Sequence, residues 1–228
     1  MIFKQLFDNT SSTYTYIISS GKGREALIID PVIENTPEYL NVLKDLDLKL
    51  VKVIDTHIHA DHISGLNELS KKTNCSKIMG EQSASEVIDI HVKDDEKIKI
   101  ENIELKSIYT PGHTDCSYSF LMNDRVFTGD TLLINGTGRT DFQNGNPIDQ
   151  YHSLFDKLLK LPEKTLVYPA HDYKGNKVST IGEQKKKNPR LQVSSAEQYV
   201  EIMNNLNLEK PTMIDIAVPA NIKGKLRV

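Results

Sequence analysis

The alternation of apolar and polar residues predicts short strands in two stretches of the chain. Residues 2–7 and 13–19 alternate apolar with polar or aromatic side chains, and residues 26–29 form a short apolar run; together these are typical of an antiparallel meander. Residues 50–54 are mostly apolar and indicate a buried strand. Further strands are predicted at residues 96–100, 103–109, 118–122, 125–127 and 165–168.

Apolar residues spaced three to four positions apart predict the helices between these strands. A start signal at Asn35, with Pro37 in the first helical position, predicts a helix over residues 36–46. The apolar spacing after the histidine-rich segment predicts a helix that begins near Asp61. Further helices are predicted around residues 148–159 and 196–206.

Two batches of strands and helices, without a repeat or a linker between them, favour one domain over residues 1–228 with a short C-terminal extension. The simplest layered arrangement for so many short strands is two sheets packed face to face, with helices on both outer faces. We therefore predict an α/β (α+β) fold, a four-layer αββα sandwich.

Composition limits the function classes. The 28 Lys+Arg and 31 Asp+Glu residues give a formal charge of −3, which argues against nucleic acid as a partner. No apolar run approaches the ~20 residues of a membrane span, so no membrane association is expected. Only two cysteines, Cys75 and Cys116, are present, and no targeting segment is visible at the N-terminus. A reducing, cytoplasmic location is therefore expected.

The segment THIHADH, residues 56–62, carries three imidazoles and a carboxylate directly after an apolar strand. Side chains two residues apart on an extended backbone project to one side, so His57 and His59 point together, and the predicted helix turns Asp61 and His62 toward the same space. Such donors suit zinc, iron or manganese. A surface histidine run would not follow a buried strand, and a structural zinc knot generally needs more cysteines.

Three further segments supply candidate ligands far along the chain. Each follows or ends a predicted strand, and the segments PGHT, TGD and PAH contain His113, Asp130 and His171. A glycine precedes both His113 and Asp130, which suits a tight turn that aims the next side chain inward. Loops on a rigid scaffold are where functional residues concentrate.

The order HxHxDH, PGHT, TGD and a late histidine resembles the metallo-β-lactamase superfamily. More narrowly, FTGDTLLINGTGRTDFQNG (residues 127–145), YPAHDYKGNKVST (residues 168–180) and NPRL (residues 188–191) resemble the persulfide dioxygenases. The resemblance covers nearly the whole chain and implies the metallo-β-lactamase-like αββα fold.

The resemblance implies one Fe(II) per chain in a triad of two histidines and one carboxylate, with His57, His113 and Asp130 in the matching positions. Such a triad leaves coordination positions open for a sulfur substrate and O2. The remaining motif residues would surround the metal. The resemblance gives a ligand-orienting role to His59 and supporting catalytic roles to Asp61, His62 and His171.

The implied reaction oxidises glutathione persulfide with O2 to sulfite and glutathione. Arg139 matches the family's substrate-binding arginine, and a guanidinium suits a glutathione carboxylate; the alternative is that Arg139 pairs with Asp141 to hold its loop. Tyr173 is a candidate catalytic hydrogen-bond donor near the metal, with packing as the alternative. The sequence leaves the oligomeric state open, a homodimer being one option.

The main competing function is that of a glyoxalase II-type thioester hydrolase, in which two metals activate a water molecule. The residues after Arg139 differ from the loop typical of such hydrolases. The 57 residues after His171 are also few for their helical glutathione-binding domain. A noncatalytic binding module is disfavoured by the intact ligand set, and an RNA-processing nuclease by the lack of a basic stripe.

Overall fold

The apolar runs of the N-terminal half form the first of two six-stranded mixed sheets in a computed structural model that describes residues 1–224. Its strands, in chain order, are β1 (Ile2–Asp8), β2 (Thr13–Ser19), β3 (Glu25–Ile29), β4 (Lys49–Ile54), β5 (Ser76–Gly80) and β6 (Ile90–Val92). The strands β1 to β3 pair antiparallel, which confirms the predicted meander. From β3 to β6 the pairing is parallel.

The second sheet has the order β12–β11–β10–β9–β8–β7. Its strands are β7 (Lys97–Ile100), β8 (Ile103–Tyr109), β9 (Tyr118–Met122), β10 (Arg125–Gly129), β11 (Leu166–Pro169) and β12 (Ser179–Thr180). β9 pairs antiparallel with both β8 and β10, and β10 pairs in parallel with β11. Hence β8, β10 and β11 run in the same direction, and their carboxyl ends share one edge of the sheet.

Residues 1–224 contain six α-helices. Three lie between strands, α1 (Thr36–Asp45), α2 (Leu66–Thr73) and α3 (Pro147–His152), and three follow β12, α4 (Ile181–Lys187), α5 (Ala196–Asn204) and α6 (Ile214–Lys223). The predicted helix over residues 148–159 is observed as α3 followed by a π-helical turn and a 3₁₀ turn. Asn146 caps α3, because its side chain accepts hydrogen bonds from the first backbone N–H groups.

The sequence analysis did not predict β5, β6, β12, α4 or α6. The strands β6 and β12 have three and two residues, too few to show a period. α6 contains Pro219, which ordinarily marks the end of a helix. Their existence depends on the partners that they pack or pair with, and a local pattern does not report those partners.

The chain forms two units, which we describe separately. The first unit comprises Met1–Val92, Lys97–Leu105 and the residues from Lys210 onward, and the second comprises Lys93–Glu96 and Lys106–Glu209. The extent of one domain over residues 1–228 stays a prediction. Within residues 1–224, no helix is both long enough and apolar enough to cross a bilayer.

The second unit has a core built from its sheet and its helices. Val126 of β10 and Val167 of β11 are fully buried and belong to one cluster with residues of the helical segments. Its other buried members are Leu132, Leu154, Leu158, Leu159, Ile181, Leu191, Tyr199 and Met203. Tyr199 and Met203 of α5 therefore pack into this core.

Candidate metal centre

The histidine-rich segment lies in an irregular loop of the first unit, residues 55–65, between β4 and α2. Its imidazoles are buried, with His57 1%, His59 0% and His62 4% exposed. The ring centroid of His59 lies 4.2 Å from that of His57 and 4.3 Å from that of His62. Three imidazoles therefore lie side by side, shielded from solvent.

The prediction that a helix begins near Asp61 is wrong, because α2 begins only at Leu66. The backbone N–H of Gly65 donates a hydrogen bond to the carbonyl of Pro31 at 2.7 Å. This bond ties the end of the loop to a distant segment, and a Cβ at position 65 would lie 3.1 Å from the Pro31 ring. The loop, and not a helix, therefore orients Asp61 and His62.

The buried carboxylate of Asp30 organises the start of this loop. Its Oδ1 accepts a hydrogen bond from the Thr56 N–H at 2.7 Å, and its Oδ2 accepts one from Thr56 Oγ1 at 3.0 Å. The Nε2–H of His59 donates to Asp30 Oδ1 at 3.2 Å. One carboxylate thus fixes both the backbone before His57 and the ring of His59.

Two overlapping groups of ligand-type atoms occur in the described part of the first unit. The ligand atoms of His59, Asp61 and His62 lie within 4.8 Å of one another, as do those of Asp30, Asp55 and His59. His62 Nδ1–H donates to Asp61 Oδ2 at 3.0 Å. Burial raises the pKa of Asp55 well above its ordinary value, and the nearby charge of Asp30 raises it further. Both effects disfavour the charged form of Asp55 relative to a carboxyl group in water.

In the second unit, His113, Asp130 and His171 come together at the shared carboxyl edge of the second sheet. His113 Nε2 lies 3.5 Å from Asp130 Oδ2, and His171 Nε2 lies 3.8 Å from Asp130 Oδ1. The three residues follow β8, β10 and β11. A hydrogen bond from the Ala170 N–H to the Gly129 carbonyl, 2.9 Å long, extends the parallel pairing into their loops.

The hydrogen bonding of His113 makes its Nε2 an acceptor. Its Nδ1–H donates to the carbonyl of Arg139 at 2.7 Å, so the lone pair of Nε2 faces the carboxylate of Asp130. Among the described residues, the buried Oδ1 of Asp130 has no hydrogen-bond partner. Acceptors that face one another in a buried place are stabilised by a cation. These residues therefore fit a divalent transition metal.

The carbonyl of Arg139 receives the His113 hydrogen bond, and the preceding carbonyl, that of Gly138, is held by buried side chains. The sequence analysis did not single out these two side chains for function. Gln150 Nε2 donates to the carbonyl of Gly138 at 3.2 Å, and the hydroxyl of Tyr199 donates to Gln150 Oε1 at 2.7 Å. Burial raises the pKa of Tyr199, so its hydroxyl remains a donor. Both side chains lie on amphipathic helices, where the sequence pattern indicates packing alone.

Gly138 is the turn residue that allows this close approach. Its N–H donates to the carbonyl of Asp130 at 2.7 Å. A Cβ at this position would lie 2.3 Å from that carbonyl oxygen and 2.8 Å from His113 Nδ1. Any side chain at position 138 would therefore displace the two ligand-bearing loops of this unit.

Arg139 makes the pairing that the sequence analysis held as its alternative role. Its Nε and Nη2 donate to the two carboxylate oxygens of Asp141 at 2.6 and 2.7 Å, which raises the pKa of Arg139. Its Nη1 donates to the carbonyl of Glu209 at 2.5 Å, and its guanidinium lies over the ring of Phe142. Substrate binding by Arg139 stays a prediction.

Tyr173 is the most accessible of the predicted site residues. Its side chain is 71% exposed, so the alternative of a buried packing role is wrong. Its ring stacks nearly parallel to that of His171, with centroids 6.1 Å apart and planes 8° apart. The phenol is thus placed beside a candidate site histidine, and its catalytic role stays a prediction.

The family model of the metallo-β-lactamase superfamily matches residues 8–171. The chain belongs to this superfamily, and the predicted metallo-β-lactamase-like fold class is confirmed. The crystal structure of ETHE1 from Myxococcus xanthus superposes with a TM-score of 0.94 and 48% sequence identity, covering 97% of this chain and 98% of that chain. Persulfide dioxygenase ETHE1, mitochondrial, from Homo sapiens is 43% identical over 226 residues, covering 98% of this chain and 88% of the relative. Within the superfamily, the chain belongs to the persulfide dioxygenase family.

A hydrolase of the same superfamily is more distant. Hydroxyacylglutathione hydrolase from Pelagibacter ubique is 32% identical over 232 residues, covering 99% of this chain and 88% of the relative. The coverage shows that a hydrolase of similar length exists. The number of residues after His171 therefore does not distinguish a persulfide dioxygenase from a hydrolase. The higher sequence identity to the dioxygenases favours the dioxygenase.

Proposed function

We propose that the protein is a persulfide dioxygenase that oxidises glutathione persulfide with O2 to sulfite and glutathione. The observation that carries the proposal is the near-full-length identity of 43% to human persulfide dioxygenase ETHE1. The acceptor atoms that face one another in the second unit support a metal-dependent reaction. In the balanced reaction, O2 supplies two oxygen atoms of sulfite, water supplies the third, and glutathione leaves as the thiol.

We propose that one Fe(II) is held by His57, His113 and Asp130. His113 offers Nε2, because its Nδ1–H is engaged by a carbonyl, and Asp130 offers a buried oxygen without a hydrogen-bond partner among residues 1–224. His57 offers an imidazole that is 1% exposed. When bound, iron would supply redox chemistry toward O2 that zinc lacks.

The remaining motif residues act around this centre in the proposal. His59 is oriented by Asp30 and packs between the imidazoles of His57 and His62, whose positions it thereby restricts. The hydrogen bond between His62 and Asp61 holds a proton that can be exchanged when water supplies the third oxygen of sulfite. His171 places its Nε2 3.8 Å from Asp130 Oδ1 and limits the orientations of that carboxylate.

Arg139 and Tyr173 would meet the substrate. For Arg139 to bind a glutathione carboxylate in a bidentate manner, that carboxylate must replace Asp141, whose side chain is 55% exposed and can move away. Tyr173 is exposed beside His171 and can donate a hydrogen bond to a persulfide sulfur. Asp141 thus serves as a counterion of Arg139 that the substrate carboxylate can replace.

The test is O2 consumption with glutathione persulfide on protein of measured iron content, with hydrolysis of S-lactoylglutathione measured on the same sample. We expect O2 uptake and sulfite formation that scale with iron content. Iron-replete protein that consumes no O2 but cleaves the thioester rapidly would replace the dioxygenase with the glyoxalase II-type hydrolase. The full-length match to the Pelagibacter hydrolase is the reason to run both substrates.

We also propose a cytoplasmic location and leave a homodimer as one assembly state. Cys75 and Cys116 are both buried and form no disulfide, which supports a reducing compartment. Fractionation of the source cells tests the location. Size-exclusion chromatography with light scattering distinguishes a monomer from a homodimer.

A further inference from the structure

A single amide from α6 joins the first unit's histidine loop at three points. Asn221 Nδ2 donates to the carbonyl of His59 at 2.9 Å and to the carbonyl of His62 at 3.0 Å. Asn221 Oδ1 accepts from the N–H of Ser64 at 2.9 Å. Both amide hydrogens and the amide oxygen are therefore engaged by the backbone of one loop.

These bonds replace secondary structure that the loop lacks. The carbonyls of His59 and His62 belong to residues that precede α2, and each residue is buried. A buried carbonyl without a hydrogen-bond partner destabilises the folded state. Because the two carbonyls share one donor group, Asn221 sets the backbone distance between His59 and His62 and with it the separation of their imidazoles.

We propose that Asn221 is a positioning residue for His59 and His62 in the proposed persulfide oxidation. In this role it acts through the backbone from which the imidazoles project. Asn221 lies 159 residues from His62 in sequence. The inference rests on the proposed function for its effect on turnover, but the hydrogen bonds can be tested without any substrate.

α6 also makes contacts within the first unit that do not involve the Asn221 side chain. Ser85 Oγ donates to the backbone carbonyl of Asn221 at 3.0 Å, and the N–H of Glu86 donates to the carbonyl of Ile222 at 2.8 Å. Ser85→Ala therefore removes a contact of α6 and leaves the three amide bonds to the loop in place. It is the matched control for a merely structural effect of α6.

The experiment compares Asn221→Ala, Asn221→Asp and Ser85→Ala in iron-loaded, full-length protein. We expect kcat of both Asn221 variants to fall roughly 10–100-fold with KM nearly unchanged and iron content close to that of the unsubstituted protein, while Ser85→Ala retains kcat. Amide hydrogen exchange provides a readout without turnover. In Asn221→Ala the Ser64 amide should exchange faster while the Glu86 amide stays protected.

Asn221→Asp separates the two halves of the amide. A carboxylate still accepts from the Ser64 N–H but cannot donate to the carbonyls of His59 and His62, so we expect Ser64 to stay protected while kcat falls. Full kcat in Asn221→Asp, or an equal loss of kcat in Ser85→Ala, would overturn the inference. Unsubstituted protein that consumes no O2 with persulfide would refute the proposed function, and the exchange data would still report on the three bonds.

Discussion

The two units hold their ligand-type side chains in different ways. In the first unit, His57, His59 and His62 come from one loop of irregular backbone, which side chains from distant segments tie down. In the second unit, His113, Asp130 and His171 come from three loops, and the parallel pairing of β10 with β11 places the last two beside each other. The histidines that are close together in sequence are held by side-chain hydrogen bonds from distant segments. The ligand-type residues that are far apart in sequence are brought together by the pairing of regular strands.

The largest expected effect distinguishes a proposed ligand of the second unit from an orienting residue of the first. His113→Ala should abolish iron retention and lower turnover more than roughly 1,000-fold, because it removes a ligand. His59→Ala should retain most of the iron and lose about 10–100-fold in turnover. Metal analysis and O2 uptake measure both. The control is His91→Ala, at an exposed position of β6, which should keep its iron and its turnover. Full iron content and activity in His113→Ala would contradict the assignment of His113 as a ligand.

The next effect concerns the stability of the first unit's loop. Asp30→Asn should lower the free energy of unfolding by about 3 kcal/mol, because it removes a buried carboxylate that accepts three hydrogen bonds. Urea denaturation measures the change. Asp215→Asn, at a carboxylate that is 80% exposed in its ion pair with Lys210, should change it by less than about 0.5 kcal/mol. Equal effects of the two substitutions would contradict the anchoring role of Asp30.

A third prediction uses a buried phenol of the first unit. Burial raises the pKa of Tyr39 from 10.0 to about 12. Between these two values the unfolded chain releases the proton while the folded chain keeps it, so stability is lost as the pH rises from 10 to 12. The loss from this group is roughly 2–3 kcal/mol.

In Tyr39→Phe, the decrease in the free energy of unfolding that Tyr39 causes at alkaline pH should disappear. Chemical denaturation at a series of pH values between 9 and 12 measures it, relative to the pKa values of 10.0 and about 12. Tyr173→Phe, which alters an exposed ring, serves as the control. An unchanged alkaline slope in Tyr39→Phe would show that Tyr39 ionises as readily in the folded protein as in the unfolded chain.

The smallest expected effect lies in the support of the second unit's site. Tyr199→Phe removes the hydroxyl that donates to Gln150 and should cost about 1 kcal/mol of stability, with a small fall in turnover. Urea denaturation and O2 uptake measure these. Tyr151→Phe, in a ring stacked on Phe155, should cost less. A large loss of turnover at unchanged stability would instead place Tyr199 in the chemistry itself.

Much of the fold could be predicted because its strands and helices carry their own periodic signals. The strands β1, β2, β8 and β9 lie at or within one residue of the predicted bounds, and so does α1. The helix expected from Asp61 failed because apolar spacing alone does not report that Gly65 is bonded to Pro31. The short strands β5 and β6 depend on neighbours in the sheet, which a local window does not contain.

The sequence by itself determined the chemistry: imidazoles and carboxylates after strands, in an order that resembles the persulfide dioxygenases. The tertiary structure decided how these groups are held. Asn221, Gln150 and Tyr199 hold the loops in the structure but look like ordinary helix residues in the sequence. The physical reason is that donor type is a property of one residue, whereas a hydrogen bond that orients it joins segments far apart along the chain.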